Sequence, residues 1–364
     1  VIGAESSNTA GQGSAYVYTL QGSTWTYQAD LLHPNTDDTD WGMGGSVNIS
    51  GDTLVVGAIG DDTVDTLAGS AVVFTRSGST WTSQQVLTGI GQVAELFGSD
   101  VAIDGDTIVV GAYKDNTTGL DAGAVHIFTR SGTTWTEEQK IDGELTGSWF
   151  GYSVSISGDT VVVGASGYLG SPHGDGKQYV YTRSGTTWTL EQSFDGLGYN
   201  NHIDGDTLVF GVSEKDIDGE DSVGAAYVYE RTGTTWTQLV QLAQANGSEL
   251  DFFGSGVAVD ESEGRVIVGA SGWNDNGALE FAGGGAFAFQ SITSAAVTDV
   301  SIILDGTLDA KNNPNEDADI GDKLAVFWPG DVRLNSTTGG VNFDGAIFMY
   351  GGDFSVGGDT VADI

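Results

Sequence analysis

A short phrase, Gly-Ser/Thr-Thr-Trp-Thr, recurs along this chain, with its Trp at Trp25, Trp81, Trp135, Trp188 and Trp236. The intervals are 56, 54, 53 and 48 residues. Repetition at a fixed period constrains a fold more tightly than any single residue does, because each unit must bury its apolar face against its neighbours. The clearest unit is FGSDVAIDGDTIVVGAYKDNTTGLDAGAVHIFTRSGTTWTEEQKI, from Phe97 to Ile141. Related stretches begin at Trp41, Phe150, Tyr199 and Phe253. About fifty residues is the length of a four-stranded propeller blade and exceeds most helical repeats.

Each unit reads as strands. Val101 and Ile103, then Ile108, Val109 and Val110, flank Gly105-Asp106, a pair suited to a two-residue hairpin turn. A polar loop from Tyr113 to Ala122 leads into GAVHIFTR, and Ser131-Gly132 turns into TTWTEEQKI. No segment holds a 3.6-residue apolar period between helix caps, so the chain reads as all-β. The repeated Trp is expected to pack between blades. The Gly-Ala pair ending the second strand implies a close approach of backbone.

These residues resemble a known family. The FG start, the VGA strand end and the GAVHIF-type third strand are similar to FG-GAP repeats, the units of integrin α-subunit propellers. GDTLVVGA together with SGTTWT is closer to the bacterial branch, found in large secreted or surface-anchored proteins. The resemblance implies a β-propeller over residues 1 to about 290. Family members bind calcium at a DxDxDG loop between the first two strands. Here that place holds the tight turns Gly51-Asp52, Gly105-Asp106, Gly158-Asp159 and Gly205-Asp206, which offer too few oxygens for calcium.

The expected array is one propeller domain over 1–364. Its blades are 1–40 plus 354–364, 41–96, 97–149, 150–198, 199–252, 253–295 and 296–353. Seven blades is the expectation, with six and an irregular insertion as the alternative. Residue 1 falls at a second strand, and FSVGGDTVADI at the C-terminus resembles a first strand. The two ends are therefore expected to complete one blade, which would leave no open sheet edge.

Composition excludes several functions. Fifty acidic against 12 basic residues give a formal charge of −38, which rules out phosphate-backbone binding and opposes anionic membrane surfaces. There is no Cys, so disulfides, thiolate metal sites and Cys nucleophiles are absent. No apolar run is long enough for a membrane helix, and VIGAESSNTA lacks the basic start of a signal peptide.

Acidic residues gather in the loops between second and third strands: Asp61, Asp62 and Asp65; Asp115 and Asp121; Asp216, Asp218, Glu220 and Asp221; and Asn274, Asp275 and Glu280. Carboxylates two residues apart suit a hard cation, and Asp216, Asp218 and Asp221 are the first choice among these for calcium. A stronger candidate is LDAKNNPNEDADIGDK, where Asn315, Asp317, Asp319 and Asp322 stand at i, i+2, i+4 and i+7. The bland reading of both is solvated acid on a Gly-rich surface.

The four His, His33, His126, His173 and His202, are scattered, and His126 reads as a packed or surface strand residue rather than a ligand. No HExxH, GxSxG or phosphate-cradling glycine loop is present. Arg76, Arg130, Arg183 and Arg231 read as packing and ion-pairing residues. Binding is expected where the repeat is broken, at Tyr168 and His173 in blade four, Trp273 in blade six and Trp328 in blade seven, whose rings could stack on sugars.

The leading expectation is a non-catalytic extracellular or cell-surface module that binds glycans or protein partners through blade loops, with calcium as a structural cofactor. A spacer or assembly unit of a surface layer, filament or adhesin is the alternative. A polysaccharide-active enzyme ranks last, because no loop supplies a distinctive acid–base pair. Neither nucleic acid nor membrane insertion is expected, and the propeller is read as part of a longer chain or assembly.

Overall fold

In the computed structural model the described residues are 1–4, 13–22, 24–35, 41–62, 64–89, 94–167, 176–217, 219–243, 250–272, 285–289, 299–303, 331–335 and 354–357. They are all-β, with no helix among them, and the antiparallel sheets they form are propeller blades. Two compact units are present, Val1–Tyr199 and Asn200–Ile364.

The first unit holds four blades. Blade one has three strands, Ile2–Ala4, Ser14–Gln21 and Thr24–Leu31. Blades two to four have four each: Trp41–Ser50, Thr53–Gly60, Ser70–Ser77 and Thr80–Leu87; Val101–Asp104, Thr107–Ala112, Ala124–Ser131 and Thr134–Asp142; Phe150–Ser157, Thr160–Ala165, Lys177–Ser184 and Thr187–Asp195. The second unit holds blade five, from Asn200–Asp204 to Thr235–Leu242, and blade six, from Phe253–Asp260 to Gly285–Phe289.

The repeated phrases explain the blade. Asp104 pairs with Thr107 around Gly105-Asp106, closing the expected two-residue turn. The second strand, TIVVGA, is buried at every position because it is covered on both faces. Ile108 and Val110 face blade two, whereas Val109 faces blade four. The FG signature supplies the wedge between blades. Phe97 and Phe150 are buried in successive seams, and each donates its backbone N–H to the preceding blade, at Ala68 and Ala122. The glycine after each Phe and the glycine of VGA let strands meet: a Cβ on Gly151 would collide with the carbonyl of Ala124, and one on Gly111 with the carbonyl of Gly151.

The blade count departs from the leading expectation. Six antiparallel blades are present among the described residues, the number held as the alternative. The segment expected to be a seventh blade contributes Asp299–Ile303 and Asp331–Asn335, which pair in parallel. Antiparallel hairpins need tight turns between neighbouring strands, whereas parallel pairing needs a long crossover. This segment has long intervening stretches and lacks the SGTTWT signature that turns into the outer strand of the other units. Phe354–Gly357 pairs in parallel with Asp331–Asn335, and residues 358–364 of the expected closing strand lie outside the described residues.

Candidate functional site

The outer hairpins carry a repeated device that holds blades together. Among the described residues every pairing of an outer strand with the strand before it slips by one residue, as at Val73/Phe74 and Ile127/Phe128. Such a bulge turns two successive side chains to the same neighbour. In blade two these are Gln84, which accepts a hydrogen bond from Trp135 Nε1 (2.9 Å), and Gln85, whose amide bonds the Trp135 backbone. Blade three repeats this with Glu138 and Gln139 towards Trp188. Blade one has Ala29 in place of the second residue and keeps only the indole bond, from Trp81 to Gln28.

The recurrent arginines belong to the same device. Arg130 Nε donates to Asp106 Oδ1 (2.7 Å) in the hairpin turn, its guanidinium lies 5.1 Å from the centre of the Trp135 ring, and Nη1 reaches Thr53 Oγ1 of blade two. Arg76, Arg183 and Arg231 pair with Asp52, Asp159 and Asp206 and cover their own Trp. They are structural.

Blade three's loop after VGA departs from its neighbours. Tyr113, Trp149, Tyr152 and Tyr199 form a half-buried aromatic group, with ring centres 5.7 Å apart for Tyr113–Trp149, 5.1 Å for Tyr113–Tyr152 and 4.9 Å for Tyr152–Tyr199. Lys114 Nζ stands 4.8 Å from the Trp149 ring and pairs with Asp121 Oδ2 at 3.1 Å. Burial, then the charges of Tyr152 and Asp121, push the Tyr113 hydroxyl above its ordinary pKa, so it remains a donor. Trp149 has φ of +53°, but Leu96 and Phe252 share that conformation before their own FG pairs. The left-handed residue is therefore a feature of the repeat, and only the indole of Trp149 is particular to blade four.

The next residue, Asp115, turns inward. With Glu95 and His126 it forms a buried group whose ligand atoms lie within 4.8 Å of one another. Lys140 Nζ meets Asp115 Oδ2 (3.0 Å) and Asp142 Oδ1 (2.7 Å). Burial alone would raise the Asp115 pKa, but bonds from Thr117 and Lys140 outweigh it and hold the carboxyl below its usual range. His126 is fully buried, against Phe97 at 5.1 Å, with Nδ1 3.1 Å from Glu137 Oε1.

Of the residues expected to bind metal, Asp216 and Asp221 are exposed on one loop of blade five. Asp216 Oδ1 accepts from Ser222 N (3.0 Å), as Asn116 Oδ1 accepts from Asp121 N in blade three. An amide serves equally well there, so the bond calls for no charge. Asp218, Asn315, Asp317, Asp319 and Asp322 lie outside the described residues, as do Tyr168, His173, Trp273 and Trp328. The sequence reading missed the aromatic group because its members come from the end of one second strand and from two later blade starts. An aromatic at each of those junctions was the available signal.

Comparison with known proteins bears on the repeat. The family model described as FG-GAP repeat matches residues 25–74, 81–128 and 135–181. No curated protein matches the chain. Each matched segment starts at the Trp of one outer strand and ends at the third strand of the following blade. Its frame therefore spans a blade boundary and includes the Trp seam. Three consecutive FG-GAP repeats run through residues 25–181 of this chain.

Proposed function

We propose that this chain is an extracellular, non-catalytic recognition module whose ligand is a glycan, engaged at the aromatic group of Tyr113, Trp149, Tyr152 and Tyr199. The observation that carries the reading is that group. Half-buried rings offer apolar faces to sugar C–H groups, while Lys114, Asp121 and the tyrosine hydroxyls lie beside them to bond sugar hydroxyls. Rigid blades beneath the loops keep the rings in place without an ordering cost on binding. The charge of −38 suits a saline exterior and a neutral or cationic ligand. Calcium in the acidic loops, at Asp216, Asp218 and Asp221 or at Asn315, Asp317, Asp319 and Asp322, belongs to this reading as a structural ion.

The test is a glycan array with the purified chain in millimolar calcium and again in EDTA, repeated with Trp149→Ala. Binding lost in Trp149→Ala supports the site, and binding retained there removes the aromatic group from the ligand contact. Loss in EDTA would assign calcium a part in holding the loops.

A second reading, as a spacer or assembly unit, is favoured by the regular seams, in which Gln, Trp and Arg are spent on holding blades together. Absence of glycan binding in both buffers would favour it.

A further inference from the structure

The geometry points to a divalent transition-metal site, of the zinc class, formed by Glu95, Asp115 and His126 between blades two and three. The three side chains are buried and their ligand atoms lie within 4.8 Å of one another. A tetrahedral set about 2.1 Å from an ion would stand about 3.4 Å apart, so small side-chain rotations complete the approach. The chemistry of the donors selects the ion. Imidazole with two carboxylates suits zinc, cobalt or manganese, whereas calcium takes six to eight oxygens.

The histidine supplies the independent observation. Its Nδ1 is held by Glu137, an arrangement that places the proton on Nδ1 and the lone pair on Nε2. That Nε2 is buried and makes no hydrogen bond among the described residues. A carboxylate behind a ligating imidazole is the usual support of a metal site.

Charge counting agrees. The buried carboxylates of Glu95 and Asp115 lie beside His126 and one Lys140, while Glu137 and Asp142, which meet the same two cationic side chains, are partly exposed. Buried carboxylates in excess of cations are costly unless a further positive charge joins them. Lys140 also bonds Asp142 and Thr117, so it retains partners when an ion takes Asp115.

The neighbouring blade shows the same place without this excess. Asp61 stands where Asp115 does, each donating its N–H to the Ala of its own VGA. His33 reaches Asp61 at 3.3 Å and Ser70 at 3.3 Å, one imidazole for one carboxylate. At the end of blade two the position corresponding to His33 is Gly89, and a Cβ there would collide with the Glu95 carboxylate. A glycine has thus made room for a second acid opposite a histidine on another strand.

The experiment uses the full chain, stripped with EDTA and titrated with Co²⁺ in excess calcium, which occupies exposed carboxylates. One equivalent of cobalt is expected, with a visible band of four- or five-coordinate intensity that Zn²⁺ bleaches. The Nδ1 proton, held by Glu137, should give one hyperfine-shifted, slowly exchanging resonance in the wild-type protein. His126→Gln should lose the band, Glu95→Gln should weaken cobalt binding at least about ten-fold, and His33→Gln should leave it unchanged. The proposal fails if wild type shows no band and no shifted resonance. It fails equally if a folded His126→Gln binds cobalt as wild type does. If His126→Gln does not fold, the wild-type resonance decides.

Discussion

The side-chain amide of Gln85 pairs with the backbone of Trp135 on the next blade, donating to its carbonyl at 2.9 Å and accepting from its N–H at 2.8 Å. One glutamine thereby imitates a residue of β-ladder across a seam that no strand crosses. Gln85→Ala leaves both backbone groups to find water in a half-covered place. It should cost about 1–2 kcal/mol, read from urea unfolding, with Gln139→Ala alike. Ala29 already occupies this position in blade one, so Ala29→Gln is the matching gain-of-stability variant.

Trp25 and Trp135 are the same residue of the repeat in different surroundings, 66% and 2% exposed. Trp135→Ala should lose about 3–5 kcal/mol by opening the seam filled by Phe97, Ile108 and Phe128. Trp25→Ala should stay within about 0.5 kcal/mol. Equal losses in thermal unfolding would show that Trp25 is covered in solution.

Gly111→Ala forces a methyl group into the Gly151 carbonyl and should cost about 3 kcal/mol. Gly132→Ala sits at φ +66° with open space around it and should cost about 1 kcal/mol, the strain of a left-handed residue alone. The comparison separates packing from backbone freedom in one blade, by calorimetry on each variant.

Asp100 lies in the seams of three blades, accepting from Ser46 Oγ, Val101 N and Val154 N. Burial nevertheless outweighs these bonds and pushes its carboxyl from 3.8 up to about 6. The folded chain holds this proton more tightly than the unfolded chain, so the group's contribution to stability is complete below about pH 4 and is lost as pH rises through about 6. Stability relative to Asp100→Asn should therefore grow by up to about 3 kcal/mol between pH 7 and pH 4, measured by denaturation at each pH. A constant difference would mean that folding leaves the pKa of Asp100 unchanged.

The strand pattern, the Gly-Asp turns and the place of the Trp were legible because each repeats and each has a local cause. Repetition also let the family resemblance be drawn correctly. The seventh blade was an extrapolation of the period into Asp299–Gly357, where apolar runs and Gly-Asp pairs continue but the SGTTWT phrase does not. Turn chemistry, not apolar content, decides whether neighbouring strands run antiparallel. The buried group of Glu95, Asp115 and His126 was illegible for a different reason. Its members sit in a linker, a loop and a strand, with no fixed spacing among them. His126 read alone could only be assigned to packing. Its meaning comes from Glu95, which reaches it across the seam beside Gly89.

The seam between blades is made from one short kit: a bulged pair of side chains on one outer strand and a Trp on the next. Donor and recipient halves of that kit both lie inside the segment that repeats. A tandem duplication in register would thus hand every new blade the socket its predecessor needs and the plug its successor accepts. Lineages carrying this sequence can lengthen or shorten by whole units without inventing an interface. A deletion out of register would instead strand a glutamine opposite nothing, which is a reason for the period to persist while the loops drift.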